Sequence, residues 1–193
     1  MVGFGVGGPI GTFGGLFHLL NHALAKSLAF FSAGNIHRRF GTREIKDVHG
    51  MVTVQPMTAV ALLVAGLALV GMPPFSLFLS EVMVVSALAT QTFSSDTLHI
   101  GQFLTIIVAH DVRSLAIVTL LLVFAVVLFG GFTYRLASMV WGTPPDGVTR
   151  GEPWEVGHIP LLVTAAVIVG LGVAIPEPVK GLMDLAVAIL MVR

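Results

Sequence analysis

The chain has 193 residues, 55% of them apolar, with ten Lys and Arg balanced by ten Asp and Glu. Charged residues make up 10%, against roughly 25% in an ordinary soluble domain. These figures exclude a basic nucleic-acid binder and a disordered tail, and the absence of Cys excludes disulfides, thiolate metal sites and iron–sulfur ligation. The composition predicts an all-α polytopic membrane protein, because a bilayer core of ~30 Å needs ~20 apolar residues per helix and offers the backbone no hydrogen bonds. β-Barrel strands would alternate over ~10 residues, and no such pattern is present.

Seven glycines crowd the first fifteen residues, with Pro9 among them. Gly3, Gly5 and Gly8 satisfy GxGxxG, but a dinucleotide site needs a preceding strand and a βαβ unit. Close helix packing through small residues is the better account. No positive n-region precedes the apolar run, so Met1 does not open a signal peptide. The chain reads as if it begins within a longer protein.

A first helix is expected near Gly11–Asn35, and it carries His18, His22 and Lys26. Four-residue spacing drifts by ~40° and rises ~6 Å per step, so the three groups form a line of ~12 Å. A lysine near mid-membrane costs ~2.5–3.5 kcal/mol on insertion scales, so it must face protein or water. His titrates near neutrality, and such a column can pass a proton along where waters bridge the gaps. Zinc binding is the weaker reading, because HExxH needs a Glu where Leu19 stands and no third ligand is evident. A hydrogen-bonded packing helix whose Lys pairs with a neighbour is the plain alternative. Asn21 and Asn35 can join the polar side without being ligands.

Arg38, Arg39, Arg43 and Lys46 follow in one short loop, which the positive-inside bias assigns to the cytoplasm. Further helices are expected near Thr53–Gly71 and Phe75–Thr92. Between them Pro73-Pro74 removes two backbone donors and ends a helix. Non-helical backbone at membrane depth survives only inside protein or beside water. Glu81 follows two turns later with no neighbouring Lys or Arg, and a carboxyl so placed can load and release a proton. The alternative is an ordinary tight turn with Glu81 near a helix end.

Phe93–Val112 holds a ten-residue apolar piece, too short to span, and is expected to be interfacial or re-entrant. His99, His110 and Asp111 fall there. Ser114–Val140 and Ile159–Ile175 are the next predicted helices. Between them the Pro/Gly-rich loop Gly142–Gly157 is edged by Trp141 and Trp154, as expected for interfacial anchors. Arg113 and Arg135 suit snorkelling helix ends. Val179–Val192, with Lys180 and Asp184 spaced for an ion pair, is a short span or an interfacial helix. The total is about five to six spans in a single transmembrane domain covering residues 1–193, with one interruption at Pro73-Pro74.

Three stretches carry a resemblance: HLLNHALAKSLAFFSAGNI, then FGTREIKDVHGM, then GMPPFSLFLSE. Together they resemble the antiporter-like membrane subunits of respiratory complex I, multisubunit cation/proton antiporters and group 4 hydrogenases. Through RGEPW and IPEPV the likeness is nearest to the C-terminal half of the hydrogenase 4 branch of that family. It implies proton translocation coupled to electron transfer in a soluble arm. On it, His18, His22 and Lys26 match the family's central His/His/Lys helix, and Glu81 matches the ionisable residue of its discontinuous helix. It also implies an N-terminal half, with further buried Glu and Lys, that this chain lacks. The partners implied are other membrane and peripheral subunits of a hydrogenase or complex-I-like assembly and the lipid bilayer, with no nucleic acid. The implied place is the cell inner (plasma) membrane, multi-pass. No cofactor or metal is expected in this chain. A cation/proton antiporter subunit and a structural scaffold without transport are the competing functions.

Overall fold

The computed structural model describes residues 2–92 and 112–191, and these are helical with no strand among them. The expectations for His99, His110 and Asp111 and for Phe93–Val112 up to residue 111 lie outside the described residues. A short helix α1 (Val2–Val6) leads into α2 (Gly8–Phe40), the longest early element at 33 residues. α2 runs past Asn35 through Arg38 and Arg39, because cations in the last turn suit the negative end of the helix dipole. It stops at Gly41, which adopts φ 69 and returns its N–H to the His37 carbonyl, a left-handed cap that glycine adopts without strain.

A 3₁₀ turn (Ile45–Asp47) and the short α3 (Met51–Val54) lead to α4 (Pro56–Leu69) and α5 (Ser76–Thr92). Then come α6 (Val112–Val140), α7 (His158–Val173) and α8 (Glu177–Met191). The predicted helices are all present, each with its ends shifted by a few residues.

Contacts along α2 fix how α4 and α5 relate. Asn35 reaches Thr58 on α4, Asn21 reaches Ser76 and His18 reaches Ser80 on α5. A Cβ on Gly14 would meet Met83 and Val84. Falling numbers on α2 thus pair with rising numbers through both helices. α4 and α5 therefore run in the same direction, one after the other, antiparallel to α2. They are two halves of one interrupted rod, not the two arms of a tight turn. The break, residues 70–75, contains the cis Pro73-Pro74 bond and Gly71 at φ 68. It falls just beyond the level of Asn21, at the turn of α2 that carries His22 and Lys26.

Small residues allow this close approach. Ala25 and Leu28 of α2 pack on Ala61, Ala65 and Ala68 of α4 and on Leu161, Ala165 and Ile168 of α7. Alanine rows let backbones near each other so that dispersion accumulates. The glycines of the N-terminus serve the same purpose: a Cβ on Gly3 would stand 2.8 Å from the Gly11 carbonyl oxygen. A second cluster joins Ile36, Val48, Met51, Ala59 and Val140 at the other end of the bundle.

α7 and α8 meet at a 72° bend, and only together are they long and apolar enough for a span. Among the described residues no single helix is long and apolar enough to cross a membrane. In α2 the polar line lowers the apolarity, and α4 is only 14 residues long. Phe124, Val126, Val127, Leu128 and Tyr134 of α6 are exposed, as are Trp141 and Trp154. Lys180 and Asp184, both exposed, form no ion pair within 4.0 Å, contrary to the expectation from their spacing.

Candidate functional site

The line on α2 leaves the core as it climbs. Its inner neighbours Phe17, Asn21, Ala25 and Leu28 are fully buried. His18 and His22 are partly buried and Lys26 is exposed. The reason is geometric, since each four-residue step turns ~40° away from the buried stripe. The two imidazoles stack with centroids 5.8 Å apart and planes 19° from parallel. His18 Nδ1 lies 3.0 Å from Ser80 Oγ, which donates to the Leu77 carbonyl at 2.6 Å. With its hydrogen so committed, Ser80 accepts from the His18 ring, which fixes an Nδ1–H tautomer.

Glu81 follows Ser80 on α5, and its carboxylate folds over the break: a Cβ on Gly71 would meet Oε2 at 2.5 Å. Only a glycine leaves that space, and its φ of 68 is one that other residues rarely adopt. Neither Glu81 nor Lys26 makes an ion pair among the described residues. The structure thus brings His18, His22 and Ser80 together and lays the Glu81 carboxylate against the break, with Glu81 and Lys26 both exposed. α7 braces the break from its other side. A Cβ on Gly172 would strike the Pro74 carbonyl oxygen and stand 2.7 Å from Phe75 C and Ser76 N.

Buried polar atoms without partners adjoin this region. Asn21 Nδ2 donates to the Ser76 carbonyl at 3.5 Å, yet Asn21 Oδ1 and Ser76 Oγ have no hydrogen-bond partner. Such atoms at an interrupted helix call for ordered water. These atoms lie about one helical turn from the His18–Ser80 contact, Asn21 following His18 on α2 and Ser76 preceding Ser80 on α5.

A second cluster, not foreseen from sequence, sits at the far end of α2. The first turn of α4 has no local cap: Gln55 precedes Pro56 and makes no side-chain cap bond. Glu152, from the loop before α7, supplies the cap instead. Its Oε2 accepts from the Met57 and Thr58 N–H groups at 2.7 and 3.2 Å, and its Oε1 accepts from Thr58 Oγ1 at 2.5 Å. A carboxylate at a helix N-terminus is also favoured by the dipole. Oε1 further pairs with His158 Nε2 at 2.9 Å, both side chains being 4% exposed. Outside this pair Arg38 bonds Glu155 at 2.7 Å, and Arg39 donates to the carbonyls of Thr149 and Gly151. The signal in the sequence was a missing one: a helix beginning Gln55-Pro56 with no Ser, Thr, Asp or Asn to cap it.

The family model described as NADH:quinone oxidoreductase/Mrp antiporter, TM, matches residues 1–109. A hydrogenase-4 component F homolog of Methylacidiphilum infernorum is 38% identical over 84 residues, covering 44% of this chain and 18% of that protein. A putative antiporter subunit mnhA2 of Staphylococcus saprophyticus is 32% identical over 153 residues, covering 79% of this chain and 17% of the relative. The chain therefore spans less than a fifth of the length of these relatives. Among solved structures, the Mrp complex from Dietzia sp. DQ12-45-1b matches with a TM-score of 0.60 at 21% identity, over 96% of this chain and 38% of that one. That likeness concerns the fold. The interrupted rod, the polar α2 and the matching family model lead to one conclusion: the chain is an all-helical membrane protein belonging to the NADH:quinone oxidoreductase/Mrp antiporter family.

Proposed function

We propose that this chain is a multi-pass, proton-translocating segment of an inner (plasma) membrane subunit in a hydrogenase-4-like or complex-I-like assembly. Protons pass between Glu81, Lys26, His22 and His18, with bridging water. The observation that carries this reading is an ion-pair-free carboxylate folded over a helix break at Gly71. It stands beside a stacked His pair whose inner member bonds Ser80, the residue preceding Glu81. Charge at bilayer depth is costly against lipid, so Lys26 and Glu81 face water or another protein segment. Unsatisfied Asn21 Oδ1 and Ser76 Oγ mark where water completes the path. Electron transfer belongs to partner subunits of the assembly, as the likeness to a hydrogenase-4 component suggests.

The test is Glu81→Gln in membrane vesicles from cells expressing the chain with its partner subunits. Gln keeps the shape and cannot ionise. Electron-transfer-driven acidification, followed with a fluorescent amine, should fall to background while the subunit's abundance in the membrane is unchanged. Full-rate proton movement in the variant overturns the reading. The antiporter reading is favoured by the antiporter subunit that aligns over 79% of this chain, and it differs in one measurable respect. Proton movement would then depend on sodium or potassium on the opposite side of the vesicle, without electron transfer.

A further inference from the structure

The charged loop after α2 divides into engaged and free groups. Arg38 pairs with Glu155, and Arg39 donates to the Thr149 and Gly151 carbonyls. Thr42 Oγ1 accepts from the Glu44 N–H and donates to Asp47 Oδ2, which turns Asp47 back onto the loop. Arg43 and Glu44 are exposed. Among the described residues their side chains make no hydrogen bond or ion pair, not even with each other.

Both side chains stand at a groove of about 290 Å³. Its walls are Ala33 and Ile36 of α2, Leu62 of α4, Met139 of α6, and Ile45 and Val48 of the loop, and its polar lining all comes from residues 37–44. α4 packs on both α2 and α6, so it floors the space between them. Ala33 and Ile45 are exposed, so the groove opens on the outer surface. Ordered water needs polar partners, and the apolar wall offers none, so it suits an apolar occupant.

The depth of the groove is fixed by the end of α6. His49 Nδ1 lies 2.8 Å from the Ser138 carbonyl oxygen, and the Gly50 N–H donates to the Trp141 carbonyl. Trp141 is exposed, and an exposed Trp on a membrane protein sits at the level of the lipid headgroups. Arg43 and Glu44 therefore lie at headgroup level. Ala33 and Ile36 precede His37 on α2, and Met139 precedes Trp141 on α6, so the apolar wall runs from that level into the bilayer.

From this arrangement we propose that the groove is a phospholipid site, selective for a headgroup carrying both a phosphate and a primary ammonium, as in phosphatidylethanolamine. Arg43 takes the phosphate on its planar fork of donors. Glu44 accepts a charge-assisted hydrogen bond from the ammonium. One acyl chain lies along Ile36, Leu62 and Met139. A headgroup with the phosphate alone leaves Glu44 facing an anion, and a choline group has no N–H to give. The site requires only that the chain lies in a membrane and is independent of the proton relay.

The test places the assembly in vesicles containing a trace of phospholipid with a diazirine in one acyl chain, and reads the labelled residues by mass spectrometry. The ethanolamine probe should label residues 33–36, 62 and 139 roughly threefold more than the choline or glycerol probe, the effect of one exposed charge pair. Glu44→Gln should bring the ethanolamine probe down to the choline level. Arg43→Gln should lower both, and Arg43→Lys should retain most of the labelling. Arg150→Gln removes an exposed cation that does not line the groove and should change nothing. Equal labelling by the ethanolamine and choline probes in the wild type, or an ethanolamine excess that survives Glu44→Gln, overturns the proposal. So does a loss in Arg150→Gln as large as in Arg43→Gln, because general attraction to the membrane surface then suffices. Label on the exposed face of α6 but none in the groove also overturns it, as expected if a partner subunit fills that space. No proton movement is measured, so the relay and this site can each fail while the other stands.

Discussion

Gly71→Ala separates backbone strain from damage to the candidate site, because the chain contains its own control. Gly71 and Gly41 have nearly the same φ, 68 and 69. A Cβ at Gly41 meets nothing within 4 Å, whereas at Gly71 it meets the Glu81 carboxylate at 2.5, 3.1 and 3.2 Å. Either alanine carries the left-handed penalty of ~1–2 kcal/mol. Only Gly71→Ala must also push the carboxylate back to ordinary contact, a displacement of about 1 Å. The carboxylate is the far end of a flexible side chain, so the move itself costs little stability. Misplacement by ~1 Å can nevertheless cost up to ~100-fold in a reaction that depends on alignment. The two variants should therefore lose similar stability in detergent, measured by thermal unfolding. Proton movement in vesicles should fall tenfold or more in Gly71→Ala and stay near wild type in Gly41→Ala. Equal rates in the two variants would refute the argument that the position of Glu81 over the break matters.

Two further outcomes follow from packing. Gly172→Ala drives a methyl into backbone atoms of Pro74, Phe75 and Ser76, which cannot rotate away; thermal unfolding should register a loss of ~1–3 kcal/mol, as for other overpacked sites. Glu152→Ala leaves the buried His158 Nε2–H unpaired and uncaps α4, so unfolding should show a loss of ~2–4 kcal/mol, whereas Arg38→Ala removes a pair whose side chains are 64% and 49% exposed and should cost ~1 kcal/mol at most.

Composition and charge spacing alone determined that this is a helical membrane protein, because bilayer thickness and backbone hydrogen bonding leave few other ways to fold so apolar a chain. The same local rules located the helices to within a few residues and singled out His18, His22, Lys26, Glu81 and Pro73-Pro74. Spacing on one helix is a matter of 3.6-residue geometry, legible without a partner. What the spacing could not say is which side of α2 is buried, and so it did not reveal that the line drifts outward until Lys26 is exposed. The relation of the two Pro-flanked helices was likewise open, since a tight turn and an interrupted rod have the same local sequence. Only the antiparallel contacts of Asn35, Asn21 and His18 with α4 and α5 decided it. The Glu152–His158 pair was beyond reach for a related reason. Its carboxylate caps a helix 94 and 95 residues away in the chain, and hydrogen bonds of that kind exist only once α4 and α7 have packed against each other.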